Sequence, residues 1–287
     1  MTNARIHNPM LWSTIAIAIL VALTAVAGIF WPATYARETL YSKAGGIGSD
    51  LVDLFLVVPI LLISGIKGYR GSVPARVVWL GTLGYLLYNF VLYVFGVHFN
   101  ALFLVYCATL GLCFYAAVFS IPFIPLESIA KTYSLCPPRK TIVVAFLVVA
   151  ISFAVFDLSE AIPALLAGQV PQSAVQLNTP VNSVHALDLV FLLPALCITA
   201  VLLLRGKAGG YVLAPALLAL VAIMNIELAV LMFVMARMGC FGMSYAMIIS
   251  FVVLGAGAAI LLWFYFRSGL TVHSGSKGAK PMFVHSR

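Results

Sequence analysis

Eight long apolar runs divide the chain, at roughly residues 11–31, 50–66, 77–95, 101–119, 141–158, 187–204, 211–235 and 243–266, with short polar connections between them. About 20 apolar residues cross the hydrocarbon core of a bilayer as a helix. In lipid such a run has to be helical, because only a helix satisfies its own backbone N–H and C=O groups within one segment. The pattern predicts an all-α integral membrane protein with eight transmembrane helices. The second run is short, so neighbours are expected to cover its outer end.

The polar positions repeat. Asp53-Leu54, Pro59 and Arg70-Gly71 recur as Asp188-Leu189, Pro194 and Arg205-Gly206, always 135 residues later. Across residues 53–71 and 188–206 seven of the 19 positions are identical. Leu and Ile matches are cheap in apolar segments, but an acid, a proline and an Arg-Gly pair in one register are not. The reading is a parallel 4+4 internal duplication, because units with an even number of spans keep the same orientation. The first four-helix repeat covers residues 1–120 and the second 141–267. Residues 121–140, with four prolines and three basic residues, form a cytoplasmic linker, and 268–287 a flexible cytoplasmic tail.

Charge adds orientation. The chain is 63% hydrophobic and 8% charged, with mean hydropathy +1.12, which excludes a soluble domain. With eight spans both termini share a side. The opposite side holds only Arg37, Lys43 and Arg237, which leaves 13 of the 16 Lys and Arg on the side of the termini. The positive-inside rule makes that side cytoplasmic, N-in and C-in, in a cell membrane. The net charge of +8 is this asymmetry, and not a nucleic-acid footprint, since no basic domain stands outside the membrane. Ala25-Val26-Ala27 before Gly28 has the form of a signal-peptidase site. The first run is longer than a usual signal core, however, and is read as a retained helix.

Seven of the eight acids fall in outer loops or outer halves of helices; only Glu127 does not. Helices two and six are expected to begin at Ser49-Asp50-Leu51-Val52-Asp53 and Ser183-Val184-His185-Ala186-Leu187-Asp188. Asp50/Asp53 and His185/Asp188 share a spacing of three, which puts each pair on one helix face. If the repeats face each other, Asp50, Asp53, His185 and Asp188 converge. Three carboxylates and an imidazole suit a divalent metal, or a proton-exchanging cluster. His98, in the link Gly96-Val97-His98-Phe99-Asn100, joins the same outer set. The plainer alternative is that the aspartates cap helix N-termini. Pro59 and Pro194 kink both helices, either to open a cavity or only to aid packing. Within the membrane, Asn89 and Asn225 hold nearly equivalent places. Glu227 lies mid-span without a basic neighbour in sequence, a placement that costs on the order of 3 kcal/mol and usually marks function. Asp157 and Glu160 close the fifth helix.

Other motifs are weak. Gly45-Gly46-Ile47-Gly48 reads as a turn before helix two, and Gly255-Ala256-Gly257-Ala258-Ala259 as a packing face. Cys107, Cys113, Cys136, Cys197 and Cys240 form no disulfide or redox pattern. His7, His273 and His285 sit in the terminal segments, and no span holds haem-type histidines. The segments Asp50-Leu51-Val52-Asp53-Leu54, Tyr88-Asn89, His98-Phe99-Asn100 and His185-Ala186-Leu187-Asp188-Leu189 resemble a group of uncharacterised bacterial multi-span membrane proteins over about residues 49–225. The resemblance implies a bacterial cytoplasmic membrane and no activity. Three functions remain open. The foremost is a transporter or permease for a small solute or ion. The second is a membrane-embedded, metal-dependent enzyme acting on lipid or an outer-face substrate. The third is a non-catalytic subunit or sensor with a protein partner.

Overall fold

The structure, a computed structural model, describes residues 3–133, 139–240 and 244–277. Cys136, His285 and the side chains of His7 and His273 lie outside the described residues, as does most of the tail. The described residues contain helices and no strand. Among the described residues, eight helical segments are long and apolar enough to cross a membrane.

The first span is α1 (Asn3–Phe30). A 3-10 turn at Pro32–Tyr35 leads to the second span, which is α2 (Leu40–Val52), a π turn (Asp53–Val57) and α3 (Val58–Tyr69). Next come α4 (Val73–Gly96) and α5 (Phe103–Ser120), and then the short amphipathic α6 (Leu126–Tyr133). α7 (Arg139–Leu166) and the small α8 (Gln172–Leu177) lead to the sixth span: α9 (Ser183–Leu187), a second π turn (Asp188–Leu192) and α10 (Leu193–Leu204). α11 (Ala208–Arg237) and α12 (Tyr245–Lys277) complete the chain.

The second span corrects the sequence reading. It starts at Leu40, about a third of its length before the expected polar turn, with Thr39 as N-cap accepting from the Ser42 N–H. Gly45, Gly46 and Gly48 therefore lie inside a helix, not in a loop. They serve close packing: a Cβ at Gly46 would meet the Tyr35 ring at 2.6 Å, and one at Gly48 would overlap the backbone of Leu231 in α11. Asp50 and Asp53 do not cap its N-terminus, lying about three turns or more into the span. Asn182 caps the sixth span, which likewise leaves Asp188 inside it. α7 runs on to Leu166, so Asp157 and Glu160 are also interior to their helix.

The prolines do not simply kink their helices. Each is preceded by one wide turn, in which Val58 N–H reaches Asp53 O and Leu193 N–H reaches Asp188 O. A proline removes one N–H and its ring crowds the carbonyl four residues back; widening the preceding turn relieves that crowding. Each insertion also rotates the downstream helix by about 100° relative to the upstream face. Both helices end alike. Gly71 (φ 98°) and Gly206 (φ 65°) adopt left-handed backbone, and Ser72 N–H and Lys207 N–H return to Lys67 O and Leu202 O. These are Schellman closures, which require the glycine.

α4 and α11 are the most enclosed spans, and α5 and α12 the least. α11 is the axis of the molecule, packed against α2, α4, α10 and α12, while α1, α3, α4 and α5 close around one another. Glycines again allow the approach: a Cβ at Gly81 of α4 would overlap the Ala216 carbonyl of α11. Gly48→Val should therefore push α2 off α11 despite its gain in helix propensity. Overpacking of this kind costs about 1–3 kcal/mol, and we expect a lower melting temperature of the purified variant in detergent.

Candidate functional site

Where α1, α2, α4 and α11 meet, three acids are gathered in the apolar interior. Asp50 is fully buried, Asp53 nearly so, and Glu227 is 7% exposed. Each oxygen of the two aspartates has its own donor. Tyr35 donates to Asp50 Oδ2 at 2.6 Å and Tyr93 to Asp50 Oδ1 at 2.7 Å. Tyr85 donates to Asp53 Oδ1 and the Asn89 amide to Asp53 Oδ2, both at 3.0 Å. Asn89 also donates to Tyr85 at 3.2 Å. Glu227 lies beside both aspartates, and the hydroxyls of Ser49 and Tyr85 face it. No Lys, Arg or His stands among the described partners of these acids.

Helical periodicity builds this site. Tyr85, Asn89 and Tyr93 follow at intervals of four and so form one stripe of α4. Asp50 and Asp53 share a face of α2, just before the π turn turns the helix away. Gly28 of α1 is needed because a Cβ there would overlap the Asp50 carboxylate. Tyr35 arrives from the 3-10 turn outside the spans. Burial first, and then the adjacent Asp50 carboxylate, push its phenol well above its ordinary pKa, so it remains a donor.

A second group lies on the other side of α4. Tyr88, one residue before Asn89, points about 100° away around the helix and donates to Asp188 Oδ1 at 2.9 Å. Near Asp188 is the buried Asp157, whose Oδ2 has no partner. His185 stands between Asp157 and Glu160, with Nε2 3.6 Å from Asp157 Oδ1 and Nδ1 3.8 Å from Glu160 Oε2.

The expected four-ligand set of Asp50, Asp53, His185 and Asp188 is thus divided. α4 stands between the two pairs and supplies two phenols and an amide to the first and the Tyr88 phenol to the second. Among the described residues no group of three or more His, Cys, Asp and Glu side chains is placed to hold a metal ion. His98 does not join either group. Its ring Nδ1 lies 3.0 Å from Glu38 Oε1, its backbone N–H donates to the same oxygen at 2.8 Å, and its ring is 37% exposed. It ties the 97–100 link to the 31–39 loop, helped by Asn100 donating to Thr34 O. Asn225 does not mirror Asn89: its amide turns back to Val221 O of its own helix, and its Oδ1 has no partner. Glu227 joins Asp50 and Asp53, a grouping absent from the sequence reading. That reading also missed Gly28, Tyr35, Ser49, Tyr85, Tyr88 and Tyr93. The stripe of Tyr and Asn at four-residue spacing in an apolar span was the signal that could have found three partners of the aspartates.

No protein family matches the chain, and neither do any curated protein or solved structure. The reading of the site therefore rests on its chemistry. Tyr93→Phe should leave Asp50 Oδ1 buried without its donor, a loss of about 1–3 kcal/mol. Thermal unfolding of the variant in detergent should show it, whereas Tyr115→Phe, at an exposed ring on α5, should unfold like the wild type.

Proposed function

We propose that this chain is a transport protein of a cell membrane, moving a small solute or ion with protons, or one in exchange for the other, bound at Asp50, Asp53 and Glu227. The observation that carries the reading is the grouping of three buried carboxylates with no Lys, Arg or His among their described partners. Removing charges from water is expensive, and like charges together raise the expense. Such a group is satisfied by taking up protons or a small cation. Ionisable residues held inside a membrane bundle commonly mark a proton or ion path. The two proline-linked π turns support the same reading, because interrupted helices beside a buried polar site are where transporters bind and bend.

The architecture proposed with it is the parallel 4+4 duplication, residues 1–120 and 141–267. The paired π turns, paired prolines and paired Schellman closures at one offset support it. The excess of basic residues at the ends of α3 and α10 and in the terminal segments supports N-in/C-in orientation. A reporter fused to the C-terminus should fluoresce as a cytoplasmic green fluorescent protein fusion and be inactive as an alkaline phosphatase fusion; the reverse pair of results would overturn the orientation.

Transport is tested in proteoliposomes containing a trapped pH-sensitive dye. A panel of sugars, amino acids, organic acids, amines and inorganic cations is added outside, one at a time. At least one should evoke a proton movement that depends on the protein. Asp53→Asn and Glu227→Gln should each slow it by about 100-fold, the low end of what a positioned proton-transfer group contributes. Folded wild-type protein that moves neither protons nor any of these solutes would sink the proposal and favour the non-catalytic subunit, whose polar groups pair only with one another.

A further inference from the structure

The second polar group has a geometry that the acid site lacks. His185 presents each ring nitrogen to a different carboxylate, and the two carboxylates differ in access to water. The Glu160 side chain, facing Nδ1, is 29% exposed, and the Asp157 side chain, facing Nε2, is 1% exposed. The His185 ring between them is 12% exposed. We propose that His185 is a proton relay, carrying protons from Glu160 at the bundle end to Asp157 inside it. This inference rests on the proton-coupled reading above and adds the route by which protons enter.

Each member is held for the task. Glu160 is fixed by Ser173, whose backbone N–H donates to Oε1 and whose hydroxyl donates to Oε2, both at 2.7 Å. Asn182 in turn donates to the Ser173 hydroxyl at 2.9 Å and caps the helix that carries His185. Phe156 meets the imidazole edge-on, with ring centroids 6.0 Å apart. Asp157 is the unusual member. Its Oδ2 is buried and without a hydrogen-bond partner, an arrangement that is costly for a carboxylate with no further role. A proton delivered to this residue offsets that cost.

The gaps of 3.8 Å to Glu160 and 3.6 Å to Asp157 exceed hydrogen-bond length, so a small swing of the imidazole toward each carboxylate precedes each transfer. Glu160 as a carboxylic acid gives its proton to Nδ1 of a neutral imidazole that already carries hydrogen on Nε2. The imidazolium then gives the Nε2 proton to the Asp157 carboxylate. The products are the Glu160 carboxylate, the Asp157 acid and a neutral imidazole with hydrogen on Nδ1. The starting tautomer returns when water takes the Nδ1 proton and another is given to Nε2, an exchange that the partial exposure of the imidazole permits. Histidine suits this role because its two nitrogens exchange donor and acceptor character near neutral pH. The titratable groups described around it are Asp157 and Glu160 of α7, Asp188 of the π turn and Tyr88 of α4. Asp188 and Tyr88 continue inward, since Tyr88 bonds Asp188 and lies within the field of Glu227.

The test is a pH jump on nanodisc-embedded protein, with the infrared band of buried carboxylic acids followed in time. His185→Ala should slow protonation by about 100-fold, and added imidazole, a free proton carrier of the same chemistry, should restore it. Asp157→Asn should slow it as well, with no rescue by imidazole. Wild-type kinetics in His185→Ala would overturn the relay and leave the transport reading standing. Slowing that imidazole does not relieve, but that His185→Gln avoids, would make His185 a packing residue and would also overturn it. A wild type whose carboxyl band does not titrate would overturn the relay and remove the proton site from the transport reading; a solute movement without protons would then still be seen in the proteoliposome assay.

Discussion

Keeping Asp50, Asp53 and Glu227 inside an apolar bundle, with no basic side chain among their described partners, is the constraint on which the rest of this molecule turns. Water is excluded, so every lone pair that is satisfied has to be satisfied by a neighbouring side chain. Tyrosine is well fitted to supply the donor. Its ring packs as a core residue while its hydroxyl reaches a polar group on the neighbouring helix. Four tyrosines and one asparagine do this for Asp50, Asp53 and Asp188. Three of the four tyrosines and the asparagine belong to α4. That helix is therefore both a wall between the two polar groups and the shared source of their hydrogen bonds, and it is among the most enclosed spans for that reason.

The need for close approach follows from the same constraint. A hydroxyl can reach a buried carboxylate only if the helices carrying them nearly touch. Gly28 makes room for the Asp50 carboxylate itself, Gly46 for the Tyr35 ring, and Gly48 and Gly81 bring α2 and α4 onto α11. These positions are spread over three helices and share no motif. What unites them is distance to the polar site. The π turns complete the arrangement by letting each aspartate-bearing segment face the interior, while the proline-bearing half below presents a different side.

Span number and helical class were legible because hydrophobic length reports them directly. The paired local features were legible too, since Asp, Pro and Arg-Gly are rare enough in apolar runs for one offset to stand out. Other parts were hidden for identifiable reasons. The start of the second span was misplaced because Gly45, Gly46 and Gly48 look like a turn; only the tertiary surfaces of Tyr35 and Leu231 reveal why a helix keeps them. The grouping of acids was not legible, because similar sequence in the two halves does not imply a shared site. In space, Asp53 and Asp188 both turn toward α4, and neither meets the other. Glu227 was recognised as unusual, but nothing in its local sequence says that its neighbours come from α2.

The two polar groups differ in a way that matters for mechanism. Asp50 and Asp53 are saturated by neutral donors and hidden behind Tyr35, which hangs from a loop held by the Glu38–His98 contact. Asp157 keeps one oxygen free and faces an imidazole with partial access to water. Donors on both oxygens fix each carboxylate in one geometry and, taken alone, favour its charged form. An unsaturated one beside a histidine is suited to passing a proton on. Tyr88 and Asp188 lie between these extremes, since Asp188 has one donor from α4, on the side that faces the second group. The same helix that separates the acids thus supplies hydrogen-bond donors to both groups, and any motion that rotates α4 acts on both at once.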